Sequence, residues 1–150
     1  MPVLSRTQTY RVADADWSRD QPGIRAVRHA VFVQEQGISE RLEWDGRDGD
    51  CRHVVALTAL AGIVATGRLR PGGRIGRMAV LPAWRGRGIG RELLERLLML
   101  ALQDGLRQVH VHAQQDVAGF YLHSGFRIAG QPFVAAGITH VAMEKMLGAT

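Results

Sequence analysis

The sequence holds a single cysteine, Cys51, and a single lysine, Lys145. One cysteine excludes an internal disulfide and a cysteine-rich zinc site. Cys51 precedes the apolar run His53-Val54-Val55-Ala56-Leu57 and reads as a small residue at a strand start, not as a nucleophile. Aromatic residues make up only 6%, few for the stacking platforms of a single-strand nucleic-acid binder. No apolar run reaches the roughly 18 residues of a membrane span. Residues 1–10 lack the basic-then-apolar layout of a signal peptide. Internal repeats, low-complexity tracts and linkers are missing too. These absences lead us to expect a soluble cytoplasmic protein with no membrane partner.

What is present is ordinary globular material. The 150 residues are 46% hydrophobic and 22% charged, enough for one domain over residues 1–150 with a real core. Basic residues outnumber acidic ones 19 to 14, for a formal charge of +5. A basic chain suits nucleic acid, a membrane surface or a small phosphorylated ligand. Here the arginines are spread along the chain with no dense run, so nucleic acid is not the expected partner.

Periodicity gives the elements. Residues 7–12 read as a strand, and Asp20-Gln21-Pro22 as a helix entry followed by Ile24, Val27 and Val31 at helical spacing. Residues 34–50 carry six acids and three glycines and read mostly as loop. Residues 53–60, 63–69 and 75–81 read as three strands joined by tight turns. A helix follows, with Ile89, Leu93, Leu94, Leu97, Leu98, Ala101 and Leu102 as its apolar stripe and Gly105 as its stop. Residues 109–112 alternate as a strand, residues 116–124 form a short helix, and residues 126–129 and 138–147 supply the last strands. The order β-α-β-β-β-α-β-α-β-β predicts an α/β (α+β) fold: a mixed central sheet of about six to seven strands flanked by about four helices.

The segment between the third strand of the meander and the long helix carries the chemistry. Gly86, Gly88 and Gly90 let the backbone approach a ligand closely. The free N–H groups of the helix's first turn favour an anion, and Arg85, Arg87 and Arg91 stand beside them. These are the parts of a pyrophosphate cradle. The spacing G-x-G-x-G misses the dinucleotide fingerprint, and the Gly-Lys-Ser/Thr of a nucleotide-triphosphate loop is absent. The glycine pattern alone leaves open a plain strand-to-helix turn.

Residues 85–90 resemble the R/Q-x-x-G-x-G/A loop of the GNAT N-acetyltransferases, with Met78-Ala79-Val80-Leu81-Pro82 before it and the amphipathic helix after it. A second block, Ala118, Phe120, Tyr121, Gly125 and Phe126, is similar to the family's A-x-F-Y-x-x-x-G-F. The resemblance covers most of the chain in the family's element order. Residues 31–36, 44–48, His53, Ala113-Gln114 and Gly137-Ile138-Thr139-His140 look like the ElaA-like branch, whose members often carry Pro where Thr139 stands.

The resemblance implies acetyl-CoA as cosubstrate, no metal, and a small-molecule primary amine as acceptor. The backbone of Arg85, Gly86, Arg87, Gly88, Ile89 and Gly90, with Arg91 beside it, would hold the pyrophosphate. Met78, Ala79 and Val80 would pair with the pantetheine arm like an added strand, admitted by a splay from the strand ending near His112. Gln114 stands near a position where relatives contact the cofactor, and Tyr121 aligns with the tyrosine that protonates the departing thiolate. Many relatives dimerise through their C-terminal strands, so a homodimer is admitted but not required.

A general base must make the amine neutral. Glu35, in the branch motif, and His140 are the candidates. Their plainer readings are a surface carboxylate at a helix end and a structural histidine. Tyr121 has a plainer reading too, packing with Phe120 and Phe126. His110 and His112 share a strand face but lack a third metal ligand. The acidic stretch from Glu35 to Asp50 reads either as an acceptor pocket attracting a cationic amine or as a solvated loop. Competing functions are a non-catalytic acyl-CoA-binding module and a peptide or protein N-acetyltransferase.

Overall fold

The computed structural model describes residues 9–148. Strand β1 (Arg11–Ala15) leads into helix α1 (Trp17–Arg28), continued by a π-helical stretch (His29–Glu35). A one-turn helix α2 (Glu40–Glu43) precedes β2 (Arg52–Thr58), β3 (Gly62–Leu69) and β4 (Ile75–Val80). Helix α3 (Ile89–Gln103), β5 (Gln108–Gln114), α4 (Ala118–His123), β6 (Arg127–Ile128), β7 (Phe133–Ala135) and β8 (Ile138–Met146) complete the chain. The α/β class and the expected order hold, with α2 and β7 added.

The strands form two antiparallel halves, β1-β2-β3-β4 and β5-β8-β6, with β7 also on β8. The halves meet at one parallel bridge, Arg74 to His110. Helix α3 packs on β1, β2, β3 and β4, and its Ile89, Leu93, Leu94, Leu97, Leu100 and Ala101 are buried in one core with Val54, Val64, Val109 and Met143. Each fully buried aliphatic side chain contributes about 1.5–3 kcal/mol. Leu98 is half-buried and Leu102 exposed, so the stripe is narrower than the sequence suggested. Gly105 takes φ 83° just past the helix, where a left-handed residue ends it.

The first two elements are displaced from the sequence reading, β1 starting later and α1 earlier. Strand β1 lies at Arg11–Ala15, and residues 7 and 8 of the expected strand fall outside the described residues. Helix α1 begins at Trp17, because Asp16 caps it by accepting from the Ser18 N–H at 3.0 Å. Asp20 Oδ2 accepts in return from the Asp16 N–H at 2.9 Å. Pro22 therefore sits inside the helix rather than at its entry.

Candidate active site

Strands β4 and β5 run parallel but pair only at their start, where the His110 N–H donates to the Gly73 carbonyl at 3.0 Å. Further along, among the described residues, they diverge into a slit. The β4 main chain turns a free edge to it. The Leu81 N–H donates to the Val64 carbonyl on β3 at 3.0 Å. Strand alternation then points the N–H and C=O of Val80 the other way, into the slit. Arg85 Nε donates to that Val80 carbonyl at 2.9 Å.

A bulge shapes the same edge. Thr66 pairs with Ala79 and Arg68 with Gly76, so Gly67 faces both Arg77 and Met78. Arg77 takes φ 51° there. A Cβ on Gly67 would lie 2.5 Å from Met78 Sδ and 3.1 Å from Leu97 Cδ1, so a larger residue there would have to displace the Met78 side chain.

A cavity of about 660 Å³ lies over the slit, a volume suited to a small organic ligand. Met78, Ala79, Val80 and Arg85 line one wall. Gly90, Gln114, Tyr121 and His140 also reach it. Gln114 Nε2 donates to Gln36 Oε1 at 2.8 Å, tying the end of β5 to the end of the π-helical stretch. That stretch has a wider turn than an α-helix, and its Val31 and Phe32 face the cavity.

The loop before α3 has the cradle's shape. Gly86 and Gly88 are left-handed at φ 79° and 85°, and a Cβ on either would meet nothing within 4 Å. Gly88 caps α3, leaving the first-turn N–H groups free. The arginines divide. Arg87 lies over the Trp84 ring at 4.6 Å, Arg91 pairs with Glu95 at 3.5 Å, and Arg85 turns toward Val80. Ile89 points into the core, so only its main chain is available to a ligand. Gly88→Ala is expected to strain the left-handed cap by about 1–3 kcal/mol and to put a methyl group into the cradle. Acetyl-CoA titration should show the affinity falling about tenfold or more; an unchanged affinity would remove the loop from the donor site.

Tyr121 is buried, packed edge-on between Phe120 at 5.0 Å and Phe126 at 5.4 Å. Burial pushes its phenol up to about 12, so the group is a neutral donor at physiological pH. Both readings of Tyr121 thus coexist: the ring packs and the side chain reaches the cavity. His140 Nδ1 donates to the Ile138 carbonyl at 2.7 Å, so Nε2 is the ring nitrogen left to meet a ligand. Its ring stacks on Phe133 at 5.7 Å, and Phe133 meets His112 edge-on at 5.2 Å.

Glu35 is not brought to these groups. It is 41% exposed at the side chain and held by both Arg85 guanidinium nitrogens, at 2.6 and 2.8 Å. The Arg85 hydrogen bonds pull its carboxyl below the usual range, the wrong direction for a base working near neutral pH.

The acidic stretch is solvated only in part, and its inner acids are paired rather than open to a cationic amine. Glu43 and Asp48 are buried, and the side chain of Asp45 is 23% exposed. Arg28 takes Glu43 at 2.5 Å and Asp48 at 2.7 Å. Arg68 takes Asp45 at 2.5 Å and Asp48 at 2.8 Å, and Arg77 reaches Glu43 at 3.2 Å. Burial opposes ionisation of both aspartates, yet Arg68 holds Asp45 low, and Arg28 with Arg68 holds Asp48 low. For Glu43 burial wins and its carboxyl is raised. Three arginines therefore neutralise three acids beneath the cavity. Trp44 packs against this cluster, with Arg28 at 4.7 Å and Arg25 at 5.0 Å from its ring. His53 is structural as well, its Nε2 donating to the Asp48 carbonyl at 2.9 Å and its ring stacked on Trp17 at 4.7 Å. Cys51 is half-buried, its thiol donates to the Arg47 carbonyl at 3.3 Å, and burial pushes its pKa up, which keeps it an unreactive thiol.

The C-terminal turn explains the departure at Thr139. Ala136 and Gly137 make the β7–β8 hairpin with φ 53° and 76°. Thr139 lies within β8 opposite Val134, so the turn does not depend on it.

Residues 15–147 match the family model for the acetyltransferase (GNAT) domain. The chain belongs to that family: it is an acyltransferase, with acetyl-CoA as acyl donor. A Bacillus subtilis relative bearing an acetyltransferase name is 37% identical over 125 residues, 79% of this chain and 84% of the relative. The crystal structure of Escherichia coli ElaA superposes with a TM-score of 0.80 at 28% identity, covering 90% of this chain and 99% of that one. A Lactobacillus plantarum structure named as an N-acetyltransferase gives 0.85 at 30% identity, covering 93% and 99%. The ElaA-like features in the sequence accordingly mark its branch. Among the described residues, no helix is long and apolar enough to cross a membrane.

Proposed function

We propose that this protein transfers the acetyl group of acetyl-CoA to a primary amine of a small molecule by direct attack within a ternary complex. The free β4 edge at Val80, opening into the cavity beside the glycine cradle, carries this reading. Acetyl-CoA supplies an activated thioester. Gly86 and Gly88 leave room for its pyrophosphate before the α3 N-terminus, and the outward main chain of Met78 and Val80 pairs with its arm. The Val80 N–H donates to the charge that develops on the carbonyl oxygen. His140 Nε2 accepts the amine proton, directly or through water, and the Tyr121 hydroxyl donates to the leaving sulfur. Glu35 takes a different part, holding Arg85 at the mouth. A non-catalytic module would have no need of a neutral phenol at the cavity wall.

The test is a thermal shift with acetyl-CoA, CoA, NADH and ATP. At about 100 times Kd a ligand stabilises by roughly 2.7 kcal/mol, which raises Tm by several degrees. A rise with both CoA species alone is expected. No rise with either at millimolar concentration would remove the donor site.

A further inference from the structure

Three arginines line the cavity: Arg74, Arg77 and Arg85. Arg85 is matched by Glu35 and Arg77 by Glu43 and Asp45. Among the described residues, Arg74 has no carboxylate within ion-pair distance and no side-chain hydrogen bond, although it is half-buried. Glu43 is the one carboxylate on the cavity wall, and Arg28 and Arg77 already hold it. The nearby Asp45 is likewise taken by Arg68 and Arg77.

The surroundings of Arg74 add positive charge. Burial, with Arg70, Arg77 and Arg68 close by, pushes its pKa down. The same guanidinium depresses His110 and His112, after burial, which acts first. A half-buried cation in such a field is stabilised by an anion that the free protein does not provide.

That anion does not come from the donor's phosphates. Arg74 precedes the first residue of β4, and the pyrophosphate cradle follows the last. Six residues of extended chain separate Arg74 from Val80, about 20 Å at 3.3 Å per residue. On the near side, His112 leads through Phe133 to His140. The unmatched guanidinium, at the level of His110, and the imidazole proposed as base, opposite Gln114, thus line the same cavity with His112 between their levels.

Resting on the acetyltransferase reading, we infer that the acceptor is an amine carrying an anionic group, a carboxylate or a phosphate, which the unpaired Arg74 fork binds while the amine lies toward His140. The planar guanidinium offers two parallel N–H donors to either anion. A purely cationic polyamine is disfavoured, because Glu43, the one acid on the cavity wall, is already held by Arg28 and Arg77.

The experiment measures thiol release from acetyl-CoA over matched pairs of acceptors. The pairs are the amino acids with their decarboxylated amines, such as histidine with histamine and phenylalanine with phenethylamine, plus phosphoethanolamine with ethanolamine. The anionic member is expected to have at least tenfold higher kcat/KM in the accepted pair, and which pairs respond tells carboxylate from phosphate. Arg74→Ala is expected to raise KM for that acceptor at least tenfold with little change in kcat, and Arg74→Lys to restore part of the loss. Acetyl-CoA affinity and Tm of both variants report folding and the donor site separately. The inference is overturned if the uncharged-tail amines are preferred, if Arg74→Ala slows both members alike, or if no anionic acceptor reacts while acetyl-CoA still binds. Loss of acetyl-CoA binding by the unaltered protein would instead overturn the acetyltransferase reading.

Discussion

Tyr121→Phe is expected to lower kcat by about 100-fold or more while leaving the Kd for acetyl-CoA within about twofold, in keeping with the 10²–10⁴ range of general acid catalysis. The substitution removes one oxygen and keeps the ring, so the edge-on contacts with Phe120 and Phe126 survive. What is lost is a proton donor that burial keeps neutral, its pKa raised to about 12. The measurement pairs single-turnover thiol release with an acetyl-CoA titration. A parallel fall in turnover and affinity would show that the hydroxyl positions the donor rather than protonating its sulfur.

Arg28→Met is expected to destabilise the protein by about 3–5 kcal/mol, since breaking a buried ion pair strands its partner. For a chain of this size that is a fall in Tm of roughly 6–20 °C. Arg28 is 1% exposed, and its guanidinium serves Glu43, Asp48 and the Glu43 carbonyl at once. Glu43→Gln is expected to cost less, because Arg28 keeps Asp48 and the neutral amide is cheaper to bury. Thermal unfolding of both variants checks the order, and equal losses would mean that packing over Trp44, not charge, sets the effect.

The contrast between these two residues shows what the sequence carries. Tyr121 sits in a short local pattern, A-x-F-Y, and the glycine loop in another, so the resemblance to the family makes both legible. The α3 stripe is legible because helical periodicity is local. Arg28 reads only as a charged residue on a helix. Its role depends on acids 15 and 20 residues away, brought beneath the cavity by a loop with no periodic signature. The pairing of Glu35 is hidden for the same reason, because Arg85 lies 50 residues away in the sequence. The unmatched state of Arg74 is likewise visible only once every other acid has been located. Strand β7 escaped because three residues give no measurable alternation, and α2 because a single turn gives no stripe.

The slit between β4 and β5 also governs how the molecule comes apart. Each half of the sheet closes its own ladders, and main-chain bonding between them is confined to the Arg74–His110 bridge. Among the described residues, the side chains of one shared hydrophobic core fasten one half to the other. Local opening is therefore expected along the seam between the halves, at less than the global cost. The half built on β8 is the shallower one, since it ends in the two- and three-residue strands β6 and β7. A donor seated in the slit touches both halves, so occupancy welds them into one and raises the cost of every partial opening that would separate them.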